Sequence, residues 1–173
     1  ALLLNTTGAS NTALGMGSVT FNTTGNNNTG VGYLALNANT TADSNTAVGF
    51  QVLAANTTGT ANTAVGHNTL DANTTTHNNT AFGYNALTVA TAANNTAVGS
   101  EALAANTTGS ENTAMGQNAL QANTTASDNV GIGHSALEAN TTGAANTAIG
   151  KNSGKSTTTG GSNVYLGRDT GIT

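Results

Sequence analysis

Tyr33, Phe50, His67 and Tyr84 follow one another at intervals of 17 residues, and Met16 and His134 occupy the same phase before and after them. If that interval is a structural repeat, the four rings form a column about 4.8 Å apart. Such a column has two chemical uses. It can contact sugar rings, or it can stack on itself and stabilise the repeat. The four residues are therefore a candidate ligand-contact ladder.

The other reactive side chains do not converge. The three histidines and seven carboxylates are scattered, with neither metal-ligand spacing nor a G-G-x-G-x-D calcium pattern. No nucleophile with its base, and no general acid and base pair, can be assembled from them. The chain reads as a non-enzyme without metal or cofactor. The segment from Gly150 to Ser156 resembles a phosphate-binding loop, but only three residues separate its glycines where that loop has four. Asn5, Asn22, Asn39, Asn56, Asn73, Asn106, Asn123 and Asn140 each open N-T-T, and Asn27, Asn78 and Asn94 also satisfy the N-glycosylation pattern. The repeat alone explains that recurrence. Rows of Thr, including Thr12, Thr46, Thr63 and Thr80, raise an ice-binding reading. Against it, these threonines are expected to point inward.

The element that positions all of these is a tandem repeat. Asn11, Asn28, Asn45, Asn62, Asn79, Asn95, Asn112, Asn129, Asn146 and Asn163 each open an N-x-x-x-G pentapeptide, and eight of the nine spacings are 17, the ninth being 16. Counted from that Asn, the unit reads N-T-A-V-G-x-x-A-L-x-A-N-T-T-G-x-x. Residues 1–10 form a partial unit, so the chain begins in mid-unit. It reads as a single repeat domain over 1–173, a piece of a longer array or a subunit that continues into a neighbour.

Composition agrees with a repeat. Charged residues are 6% and aromatic residues 3% of the 173, and there is no Cys and no Pro. Packing and hydrogen bonds must hold the chain together without disulfides. Residues 1–150 carry six carboxylates and neither Lys nor Arg, a balance that argues against a nucleic-acid partner. The longest apolar run, Ala1 to Leu4, is far too short to span a bilayer, so no membrane insertion is expected of this segment.

Alternation within the unit predicts an all-β fold, a parallel β-solenoid or β-roll of about ten coils with two short strands each. Positions 2 and 4 are expected to face the core together, and positions 9 and 11 likewise. Asn at positions 1 and 12 predicts side-chain amide ladders from coil to coil. Position 3 then falls outside, yet it is almost always Ala or Gly. Ala13, Ala47, Ala64, Ala81, Ala97, Ala114 and Ala148 form a small apolar stripe that predicts an oligomer interface.

The pentapeptides at Asn45, Asn62, Asn95 and Asn146, followed by small-Leu pairs such as Ala102-Leu103 and Ala136-Leu137, resemble head repeats of trimeric autotransporter adhesins. The longer unit is similar to repeats in tail-fibre-like proteins of phages and bacteria. The resemblance implies a left-handed parallel β-roll, a homotrimer, and an extended fibre on a cell or virion surface that attaches to a host cell or matrix. Its partners would be copies of itself and a cell-surface glycan or protein receptor. The alternative is the repeating subunit of an extracellular filament assembled head to tail through unpaired strand edges.

Overall fold

Short runs of Thr, Ala and Val between Asn and Gly suit extended backbone, because β-branched side chains pack well on a pleated surface. The structure, a computed structural model, describes residues 1–89 and 91–171; Ala90, Ile172 and Thr173 lie outside the described residues. Ten strands are described: β1 (Thr12–Leu14), β2 (Thr29–Val31), β3 (Thr46–Phe50), β4 (Thr63–His67), β5 (Thr80–Tyr84), β6 (Thr96–Val98), β7 (Thr113–Met115), β8 (Val130–Ile132), β9 (Thr147–Ile149) and β10 (Val164–Leu166). They form one parallel sheet in sequence order, and every strand pairs with the next in identical register, as in Thr46↔Thr63, Ala47↔Ala64 and Val48↔Val65. The fold is a β-solenoid with one coil per repeat.

Each coil has one strand and not the two expected. The second stretch, around positions 8 to 11, still bonds from coil to coil, with the Leu36 N–H donating to Val52 O at 3.0 Å and the Leu53 N–H to Thr69 O at 3.1 Å. It is not extended, because position 9 is left-handed: Leu36, Leu53, Leu70 and Leu87 have φ of 51°, 50°, 51° and 51°. That conformation costs a leucine about 1–2 kcal/mol. Complete burial of the same side chain offsets it with about 1.5–3 kcal/mol. The kink also turns two successive residues inward, so positions 8 and 9 are both buried, as in Ala35-Leu36, Val52-Leu53 and Ala102-Leu103.

The core is thin, and this reverses the expected orientation of the strand. The interior holds the position-9 leucines, small residues at position 8 and the alanines of position 3, all of them without solvent exposure from Ala47 onward. Positions 2 and 4 face outward. A coil this narrow has no room for a branched side chain opposite leucine. A Cβ placed on Gly30, the position-3 residue of β2, would come within 2.5 Å of Val19 Cγ2 and 2.7 Å of Ser18 Oγ.

The position-5 glycines close the strand. Gly49 has φ 134°, and a Cβ there would stand 1.8 Å from the carbonyl oxygen of Gly66 in the next coil. Both the backbone conformation and the stacking distance require glycine. The expected Asn ladders are present at both corners. They meet on one carbonyl, since Gly59 O accepts from Asn45 Nδ2 at 2.8 Å and from Asn56 Nδ2 at 3.0 Å. In the last coil Tyr165 takes the place of the position-3 alanine, against Gly154 and Gly171 where leucine stands elsewhere; a Cβ on Gly171 would lie 2.3 Å from its ring.

Candidate functional surface

The alanine stripe is not a surface. Ala47, Ala64, Ala81, Ala97, Ala114 and Ala148 are fully buried, and Ala13 is partly buried against the same cluster. The expected oligomer interface at these seven residues is therefore corrected: they are the inner wall of the solenoid, small because the opposite wall is leucine. What the strands present outward is a column of position-2 residues, mostly Thr, beside a column of bulky position-4 residues. Five members of the second column are half-buried, and the others are exposed, among them Leu14 at 67%, Met115 at 42%, Ile149 at 40% and Phe82 at 38%. Not one of these twenty outward positions carries a charge.

The variety of position 4 was the signal for this orientation. Val, Phe, Met, Ile and Leu succeed one another there, whereas from coil 2 to coil 8 position 3 is Ala or Gly and position 9 is Leu. A close-packed interior tolerates little change of volume, and a surface tolerates much. The ground for setting the threonine rows aside as ice contacts also falls, because position 2 points out.

The structure brings the four ring residues together. Beyond the position-5 glycine, β3, β4 and β5 run on to position 6, and the position-6 carbonyls keep the coil-to-coil ladder: the Gln51 N–H donates to Tyr33 O at 2.9 Å, the Asn68 N–H to Phe50 O at 3.0 Å and the Asn85 N–H to His67 O at 3.0 Å. The rings of Tyr33 and Phe50 are stacked with centroids 5.2 Å apart and planes at 17°, and those of Phe50 and His67 at 4.8 Å and 14°. His67 and Tyr84 are 5.4 Å apart and tilted by 31°. The rings thus turn their faces to one another and their edges to solvent. Sequence reasoning did not pick out Phe82, two residues before Tyr84 and also exposed, which is the one ring in column 4.

The glycosylation motifs divide sharply. Asn22, Asn39, Asn56, Asn73, Asn106, Asn123 and Asn140 are buried with their amides engaged, while Asn27, Asn78 and Asn94 are exposed just ahead of a strand. The segment from Gly150 to Ser156 is one corner of a coil, with Gly154 against Tyr165. Among the described residues no cavity is formed, no group of three His, Cys, Asp or Glu side chains could hold a metal ion, and no helix is long and apolar enough to cross a membrane. Local electrostatics concern three carboxyls. Burial raises the pKa of Asp71; the Ser135 hydroxyl bond, helped by Lys155, lowers that of Glu138; the Asn152 amide, with Arg168, lowers that of Asp169.

No protein-family model, curated protein or solved structure matches the chain. Its surface therefore has to be read from its own chemistry.

Proposed function

We propose that the chain is a structural and adhesive rod of an extracellular fibre, displayed on a cell or virion surface, whose copies associate side by side and whose corner residues contact a host cell or matrix. The supporting observation is the charge-free outer face of the sheet, which runs in register over all ten strands. At about 4.8 Å per strand and two residues of width it offers on the order of 500 Å² per chain. Two such faces together reach roughly the 1,000 Å² that a specific interface requires. An uncharged, ridged apolar strip of that length fits a second copy of itself. The resemblance to adhesin heads favours three copies over two. Association would leave positions 7, 10, 16 and 17, which vary from coil to coil, free for multivalent contact.

Light scattering tests this directly. The protein is expected to give a trimer mass independent of concentration, and Val65→Lys, on the outer face of β4, is expected to give a monomer with an unchanged β-sheet spectrum. A monomeric parent protein would overturn the reading, and long polymers in the electron microscope would point to the head-to-tail filament instead. One observation favours a second reading, an ice-binding face: the Thr column points outward at a constant interval. Phe82 and Met115 interrupt the adjacent column, which an ice lattice would not accommodate as readily as a protein partner would. Thermal hysteresis of the parent protein, lost in Thr63→Lys, would establish that reading in place of the first.

A further inference from the structure

The ring column is closed along its length and open at one end. Phe50 lies between Tyr33 and His67, and His67 between Phe50 and Tyr84, so both faces of each interior ring are covered. A sugar cannot stack on a covered face. At the N-terminal end the Leu34 N–H donates to Met16 O at 3.0 Å, which sets Met16 on the rung before Tyr33. At the other end the Glu101 N–H donates to Tyr84 O at 2.8 Å, which sets Ser100 on the rung after Tyr84. Ser100 is too small to cover a ring. Tyr84 is accordingly more open than the other two rings of Tyr and Phe, 51% exposed against 39% for Tyr33 and 41% for Phe50.

We propose that the outer face of Tyr84 is a saccharide platform that takes the C–H face of a neutral pyranose ring from a cell-surface or matrix glycan. This rests on the adhesive reading and names its contact. Phe82, exposed beside Tyr84 on the same strand, widens the apolar floor. The Ser100 hydroxyl and the Glu101 carboxylate, which accepts from the Gln121 amide, supply polar groups at the rim for sugar hydroxyls. An aromatic face with donors and acceptors at its edge suits a ring that is apolar on its face and hydroxylated at its margin. Charge selects the neutral sugar. The nearest Lys or Arg along the column is Lys151, four coils beyond Tyr84, whereas Glu101 lies in the adjacent coil and repels an acidic one. With no cavity around it the site binds each ring weakly, and repeated chains in a fibre supply the avidity.

Saturation-transfer NMR with the methyl pyranosides of glucose, galactose and N-acetylglucosamine tests the platform on the intact protein. At least one of the three is expected to receive saturation on its ring protons, and Tyr84→Ala is expected to abolish the transfer while Tyr33→Ala preserves it. Ser100→Leu guards against misfolding as an explanation, because its branched side chain covers the free face of Tyr84 without presenting a new ring, and it is expected to remove transfer without loss of stability. No transfer to any of the three sugars, or transfer as strong as that of the parent protein in Tyr84→Ala or Ser100→Leu, overturns the proposal. Cell binding separates it from the reading on which it rests. Equal cell binding by the parent and Tyr84→Ala sinks the platform and leaves adhesion standing, whereas sugar binding at Tyr84 without attachment to any cell or matrix does the reverse.

Discussion

The two asparagine ladders differ in continuity. At position 1 the ladder is unbroken from Asn11 to Asn163: each Oδ1 accepts the backbone N–H of the next Asn at 2.9 to 3.1 Å. At position 12 the links run from side chain to side chain, as in Asn39 Nδ2 to Asn22 Oδ1 at 2.7 Å and Asn56 Nδ2 to Asn39 Oδ1 at 3.1 Å. That ladder stops after Asn73, where the sequence has Ala90 at the next position 12, resumes at Asn106, and ends at Asn140, where Thr157 follows. A position-1 asparagine serves a main-chain donor that cannot be dispensed with, while a position-12 asparagine serves a side chain that can be replaced. Loss of the first strands a buried backbone N–H, the costlier defect.

Breaking each ladder in its middle gives the largest expected difference. Asn62→Ala removes the acceptor for the Asn79 N–H at 3.0 Å and the donor to Thr76 O at 2.8 Å. Thr76 O keeps Asn73 Nδ2 at 3.3 Å, but the buried Asn79 N–H is left without a partner, and the loss is expected to be about 2–3 kcal/mol. Asn56→Ala removes one acceptor of Asn73 Nδ2 and the donor to Asn39 Oδ1, but Asn73 Nδ2 keeps Thr76 O at 3.3 Å and Gly59 O keeps its bond from Asn45 at 2.8 Å. A loss of about 1–2 kcal/mol is expected there. Urea denaturation of the two variants measures the gap, and equal losses would mean that the ladders are energetically equivalent.

The interruption supplies the next contrast. Asn73 Oδ1, which has no position-12 amide to accept from on its far side, accepts instead from the hydroxyl of Thr76, a residue that stands where Gly8, Gly25, Gly59 and Gly109 stand in other coils. Thr76 thus repairs the gap from within its own coil. Thr76→Val, which keeps the shape and removes the hydroxyl, is expected to cost about 1 kcal/mol. Asn106→Ala, beside the same gap, is expected to cost less than Asn56→Ala, since Asn106 Nδ2 has Gly109 O as its acceptor and none from a preceding ladder residue. If Thr76→Val is neutral in denaturation, the repair is only geometric.

The repeat, the parallel stacking, both ladders and the ring column were legible in the sequence, because each depends on one residue type at one interval. The orientation of the strand was not. Alternation distinguishes two faces without saying which is inside, and the usual rule that the bulkier face is buried fails when the opposite wall is leucine and the coil is narrow. Ala64 and Val65 are the case in point: the smaller residue is the buried one. The left-handed leucines were hidden for a related reason. Leu53 reads as a strand residue by its alternation with Ala55, and only its burial overrides the backbone cost. The 16-residue unit is tolerated on the same logic. Thr91 and Ala92 bond as positions 13 and 15, so what is missing is position 14, an exposed threonine in Thr24, Thr41 and Thr58.

Asp71 gives the smallest expected effect and a reference for the others, since it lies at position 10 of the coil that contains Asn62 but touches neither ladder with its side chain. Burial raises its pKa above the ordinary carboxylate value. A carboxyl whose pKa is higher in the fold than in the unfolded chain favours the fold where it is protonated, and that contribution is lost as pH rises through the folded value. Asp71→Asn is therefore expected to stabilise the protein at neutral pH by about 0.5 kcal/mol or less, the scale of a surface substitution. The gain should disappear once the pH falls below the ordinary carboxylate range. Thermal melts of both proteins across that range check the sign. A loss of stability at neutral pH as large as that of Asn56→Ala would mean that the coil surface, and not the two ladders, governs how the repeats hold together.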